Sequence, residues 1–170
     1  KAWYVLLKQE NFSTSKGASI TENLLSDIRV EQEEIGKKFY QVYKQARLDL
    51  LRDIYQHNAA IRADIDLGIQ KAQKIIDRIV FACFAEDRGL LPDNTLPRVI
   101  QAADGSAFGG SIWSTLKSFF EAIDSGSAKL EIPDGYNGGL FARDEVLNNL
   151  QIGDEPLRGV LGLGKYNFVE

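Results

Sequence analysis

Methionine is absent from the 170 residues, cysteine and histidine occur once each, and proline occurs four times. A single cysteine, Cys83, excludes an internal disulfide and fits a reducing compartment, so the expected location is cytoplasmic. Cys83 stands among Val80, Phe81 and Phe84, where a packed core thiol is expected rather than a nucleophile. The lone histidine, His57, lies where a helix should be ending. There it interacts favourably with the helix C-terminus, and the chain offers it no metal-binding partners at a recognised spacing. No apolar run approaches the ~20 residues that a membrane span requires, and no signal peptide opens the chain, so no membrane partner is expected. A basic excess is missing too. The net charge of −4 argues against a dedicated nucleic-acid-binding module, although a local basic strip remains compatible with it. A chain that opens at Lys1 without any Met is expected to be a piece excised from a longer protein.

What is present is ordinary for one globular domain: 44% hydrophobic and 26% charged residues. The most informative stretch is Lys71 to Pro92, KAQKIIDRIVFACFAEDRGLLP. In its first half Ala72, Ile76, Ile79 and Cys83 recur at helical spacing, while Lys71, Lys74 and Arg78 share another face. From Ile79 to Ala85 every residue is apolar. A helix apolar all round must be wrapped by other elements, which makes this one the expected axis of the fold. Asp64 or Asp66 caps its start, and Gly89 with Pro92 just beyond stops it.

Around that axis the pattern is helical nearly everywhere. Residues 2–8 read as a short strand or the tail of a preceding domain, residues 1–12 as that tail's extent, and 13–20 as a linker. Residues 21–170 then form the helical domain. A helix over Glu22–Val30 is expected, then a longer one from about Glu33 to His57, with Gly36 breaking or bending the junction. The long helix and the axis helix should form an antiparallel pair. Further helices are expected near Leu96–Ala103, Ser111–Ile123, Asp144–Leu150 and Glu155–Leu163, with a turn at Ile132–Tyr136. The fold class is therefore mostly α, an irregular multi-helix bundle around a central buried helix at about 66–88.

Four segments together carry a resemblance: KAQKIIDRIVFACFAEDRGLLP; Tyr136 to Phe141, YNGGLF; Leu157 to Phe168, LRGVLGLGKYNF; and more weakly Phe39 to Leu51, FYQVYKQARLDLL. In order and spacing they are similar to the helical spacer region of type IIG restriction enzymes and related phage-defence DNA methyltransferases. The similarity runs over roughly residues 20 to 170. It implies a connector that joins an N-terminal nuclease to a C-terminal adenine-N6 methyltransferase. The partners would be those flanking domains and double-stranded DNA. The parent enzyme's cofactors would be S-adenosylmethionine and Mg²⁺, with none held in this segment.

The residues fit a non-catalytic piece. Pro92, Pro97, Pro133 and Pro156 follow Leu, Leu, Ile and Glu, so the Asn/Asp-Pro-Pro-aromatic loop of an amino-methylating enzyme is not here. No lysine has Asp or Glu two positions before it, which removes the nuclease's (D/E)xK element. Gly159 to Tyr166, GVLGLGKY, matches G-x4-G-K but has Tyr166 where a phosphate-binding loop requires Ser or Thr; a glycine-capped helix end is expected instead. The acidic group Glu31, Glu33 and Glu34 reads as a solvated face.

Two sets of residues are candidates for contacts. Lys37, Lys38 and Lys44 on the long helix, with Lys71 and Lys74 on the axis helix, could form a strip against the DNA backbone. Tyr136, Leu140 and Phe141 combine with two glycines in a loop able to press anchors into a neighbouring domain; the alternative is that Phe141 fills this domain's own core. Arg78 is expected to be partly buried and paired with Asp77, Glu86 or another acid, because an unpaired buried charge is costly. A second class of function stays open beside the connector: a helical adaptor that binds a protein through the 136–141 loop.

Overall fold

The computed structural model describes residues 20–107, 109–128, 131–132, 135–136 and 138–166, with backbone alone for 20–28 and 31. The expected strand and tail at 1–12 and most of the linker at 13–20 lie outside these. The described residues fall into two compact units that divide between Gln41 and Val42, inside the span expected to form one domain.

Helix α1, Ile20–His57, is continuous over 38 residues. Two helices with a break at Gly36 were expected, and the break does not occur. A Cβ placed at Gly36 would meet nothing within 4 Å, so no packing contact demands a bend there. A lone interior glycine costs about 1 kcal/mol relative to alanine, and the Glu and Lys residues on either side are good helix formers. The described side chains of the first unit are almost all exposed, Val30, Ile35 and Tyr40 among them.

In the second unit the end of α1 buries Ala46, Leu50 and Ile54. A short helix, α2 (Ala59–Ala63), then leads into the axis helix α3, Ile65–Asp87. Asp64 caps α3 as expected, its side chain accepting from the Leu67 amide at 3.0 Å. At the other end Gly89 has φ +67, and the Gly89 and Leu90 amides donate to the Glu86 and Ala85 carbonyls at 2.9 and 2.8 Å. That pair of bonds is a Schellman closure, which favours glycine at this position. Antiparallel pairing of α1 with α3 shows in two contacts. Gln73 donates to the Tyr43 hydroxyl at 2.8 Å, and a Cβ on Gly68 would lie 3.4 Å from Leu51.

Helices α4 (Thr95–Asp104), α5 (Ile112–Ser125), α6 (Glu145–Asn148) and α7 (Asp154–Leu161) and a 3₁₀ turn, Gly162–Lys165, complete the fold. Ser111 caps α5 by accepting from the Ser114 amide. Its apolar face, Ile112, Trp113, Leu116, Phe119, Phe120 and Ile123, is buried throughout. Among the described residues no strand forms; one isolated bridge, Ser127 to Ile132, closes the turn before Tyr136. The fold is mostly α, and none of its described helices is long and apolar enough to cross a membrane.

Ile75, Ile76 and Ile79 of α3 are fully buried, and each such side chain stabilises by about 1.5–3 kcal/mol. The wrapping is incomplete, however. Val80 and Phe81 are half-buried and Phe84 is 40% exposed, with the Arg88 guanidinium 5.2 Å above its ring. A cationic cover of that kind lets an aromatic ring remain at the surface. The buried sector of α3 also contains Arg78, which breaks the apolar pattern and organises the rest of the site.

Candidate functional site

Arg78 is only 2% exposed. Its Nε donates to the Leu140 carbonyl at 2.8 Å and its Nη2 to the Ala142 carbonyl at 2.9 Å. The guanidinium also lies over two rings, 5.2 Å from the centre of Phe120 and 5.7 Å from that of Phe141. Among the described residues no acid pairs with it directly. Two carbonyl dipoles and two ring faces take the place of the expected acid, because the planar fork of an arginine matches a pair of neighbouring carbonyls and stacks on aromatic surfaces. Burial pulls its pKa below the ordinary 12.5, while Asp144 and Asp124, farther off, push the other way.

The two lysines that share this face of α3 reach the same segment. Lys71 Nζ donates to both Asp144 oxygens, at 3.0 and 2.7 Å, and Lys74 Nζ to one at 3.0 Å. Asp144 in turn accepts from the Leu147 amide at 3.0 Å and so caps α6. The three side chains are 15%, 29% and 10% exposed. Burial pushes the Asp144 carboxyl up, but the Lys71 ammonium, the Leu147 amide and Lys74 outweigh it and hold the group well below the usual carboxylate range. Lys71 and Lys74 were candidates for the DNA backbone, and the structure gives them another task. Together with Arg78 they form a basic dock for residues 140–144 of the chain itself.

The loop candidates turn inward in the same way. Phe141 is 4% exposed and packs edge-on to Phe81, ring centres 5.3 Å apart. Tyr136 also meets Phe81 edge-on at 6.0 Å, and its hydroxyl donates to the Leu90 carbonyl at 2.8 Å. Leu140 is half-buried. Phe141 thus fills this unit's own core, the alternative to an inter-domain contact, while Tyr136 packs half-buried at its edge.

The remaining basic candidates are exposed. Lys37 and Lys38 belong to the first unit, where Lys37 lies 3.9 Å from Glu33 one turn away, and Lys44 belongs to the second. Such an exposed helical pair contributes a few tenths of a kcal/mol and leaves the ammonium available to water or a ligand.

Several linking residues carried no signal that singled them out. Asn58, just past the end of α1, donates to the Ile54 and Gln151 carbonyls and accepts from the Gln151 amide. Asp53 accepts from the Gly153 amide at 2.9 Å, and Trp113 donates to the Leu150 carbonyl at 2.9 Å. An asparagine after a helix is visible in the sequence, but its partner 93 residues away is not. His57 stays at the end of α1, its ring nitrogen 3.2 Å from Asp53. Among the described residues no three His, Cys, Asp or Glu side chains converge as a metal site. No protein-family model, curated protein or solved structure matches this chain.

Proposed function

We propose that this chain is the helical spacer of a restriction-modification enzyme, joining an N-terminal nuclease to a C-terminal adenine-N6 DNA methyltransferase and touching the DNA backbone. One observation carries the reading. The described parts of the resembling segments that lie in the second unit, far apart in sequence, pack on one another. Arg78 of KAQKIIDRIVFACFAEDRGLLP grips the carbonyls of Leu140 and Ala142 in and just after YNGGLF. Gly164 of LRGVLGLGKYNF lies against Cys83, a Cβ there being 3.4 Å from the sulfur. Tyr43 of FYQVYKQARLDLL accepts from Gln73. Packing of these segments on one another is what a shared domain requires of them.

On this reading the role is geometric. The buried arginine and the Asp144–lysine cluster fix the connection between α5 and α6, so the unit can hold its neighbours at a set separation. Mg²⁺ and S-adenosylmethionine would act in the flanking domains. The DNA contact falls to Lys37, Lys38 and Lys44, since Lys71 and Lys74 are occupied.

Two measurements test this. The coding sequence that flanks the chain should encode an Asn-Pro-Pro-aromatic motif downstream; a stop codon near Glu170 would sink the spacer reading. Binding of the 170-residue chain to duplex DNA across a salt series tests the backbone contact. Three phosphate contacts give a slope of log affinity against log salt of about −2.7, whereas all five lysines would give about −4.5. Salt-independent binding, or none, would remove DNA from the account.

A further inference from the structure

Arg78 lines a cavity of about 480 Å³ between α5 and the segment 141–148. Lys117 and Arg143 line it together with Arg78, and so do Glu121 and Asp124. Of the five guanidinium donors, the one on Nε and one of the two on Nη2 are committed to carbonyls, while Nη1 donates to no atom of the described residues. Among the described residues no buried side-chain nitrogen or oxygen lacks a partner. Nη1 is therefore not sealed in, and Arg78 lines the cavity. Lys117 Nζ makes one hydrogen bond, to the Asn148 carbonyl at 3.1 Å, which leaves two of its three donors unused. Arg143 is 78% exposed at the rim and uses Nε on Glu145.

We propose that this cavity is a binding site for a singly charged oxyanion, of the size of a phosphate group, held between Arg78 Nη1 and Lys117 with Arg143 at the mouth. Charge-assisted bonds from a partly desolvated guanidinium to an oxyanion are among the stronger polar contacts. The anion would also give the buried cation a direct ion pair, where Asp144 and Asp124 act on it only from farther off. Glu121 and Asp124, one and two turns beyond Lys117 on α5, restrict the charge that the site accepts. A second negative group would meet them in a confined, poorly screened space. A phosphate of a free small molecule and a phosphodiester of a nucleic acid share this chemistry. The site does not depend on the spacer reading.

The test uses the whole 170-residue chain and inorganic phosphate near pH 6, against sodium chloride at equal ionic strength. Thermal melting and the fluorescence of Trp113, whose ring lies 5.9 Å from Lys117 Nζ, both report on the site. Phosphate at ten times its dissociation constant should raise Tm by about 4 °C. Lys117→Gln should weaken phosphate binding about tenfold, with the melting point in chloride little changed. Should that variant melt early, Arg143→Gln, altered only at the exposed rim, gives a second reading with a smaller loss of affinity. A short duplex that competes with phosphate identifies the source as nucleic acid, and one that leaves phosphate affinity unchanged identifies a free small molecule. Absence of a saturable effect beyond chloride, or unchanged affinity in both variants, overturns the site.

Discussion

Asp144 offers the sharpest test of how the unit is held together, because one carboxylate does two jobs that substitution can separate. Asp144→Asn keeps an oxygen able to cap the Leu147 amide, since Asn and Asp are about equally good in that position. It removes the charge that Lys71 and Lys74 share. Breaking a buried ion pair by removing one partner costs about 3–5 kcal/mol, but these lysines are 15% and 29% exposed and can turn toward water. A loss of about 2 kcal/mol is therefore expected at pH 7. Asp144→Ala loses the cap as well and should cost about 3 kcal/mol. Urea unfolding reads both values as shifts in midpoint at constant slope.

The pH dependence gives the second arm. A carboxyl whose folded pKa is depressed stabilises the fold above its unfolded value, here near 3.8, and loses that contribution as pH falls toward the folded one. The gap between wild type and Asp144→Asn should be constant from pH 7 to pH 5, then shrink by about 1 kcal/mol at pH 3. Comparing the two proteins at each pH cancels most of the titration of the other acids. Equal stability of Asp144→Asn and wild type at pH 7 would refute the cluster, and so would a gap that persists undiminished to pH 3.

Other substitutions probe the neighbouring contacts. Arg78→Lys should cost about 2–3 kcal/mol in urea unfolding, because an ammonium cannot span two carbonyls and lie between two rings; a change under about 0.5 kcal/mol would remove the fork from the argument. The Cys83 thiol, pushed up to about 12 by burial and by the nearby Glu86 and Asp87, should resist iodoacetamide at pH 8 in the folded chain and react once urea unfolds it. Gly68→Ala should cost about 1–3 kcal/mol in Tm or urea midpoint, since the new Cβ would sit 2.5 Å from the fully buried Ile61 side chain; a neutral result would show that α2 shifts freely.

Much of the helical framework was legible because its signals are local. Asp64, Ser111 and Asp144 cap the helices they precede, and Gly89 and Gly126 mark the ends of α3 and α5. Such boundaries depend on residues within a few positions of each other. What the sequence concealed was the destination of charge. Lys71, Lys74 and Arg78 form a basic stripe one helix face wide, and helical spacing alone cannot say whether such a stripe meets solvent, phosphate or protein. The answer lay some 62 to 73 residues downstream, in a capping aspartate and two backbone carbonyls. A carbonyl carries no sequence signal at all, so an arginine bound by carbonyls reads as an arginine in search of an acid. Gly36 misled for the opposite reason: its residue type signals a break, and the absence of any demand for one is a property of its surroundings.

The same distribution of charge decides where a polyanion could bind. The chain carries a net −4, so attraction to DNA must come from local groups whose charge is not already answered within the fold. For the two lysines of α3 the answer is supplied internally by Asp144, while the carbonyls of Leu140 and Ala142 occupy two of the five donors of Arg78. Reversing Lys71 or Lys74 to Glu would set a carboxylate against Asp144 in a partly buried cluster, and lost folding would then masquerade as lost DNA binding. Reversal of Lys37, Lys38 and Lys44 changes exposed residues, where surface substitutions alter stability by no more than about 0.5 kcal/mol. That second set can separate recognition from folding, and the DNA contact proposed for α1 is tested on those three lysines.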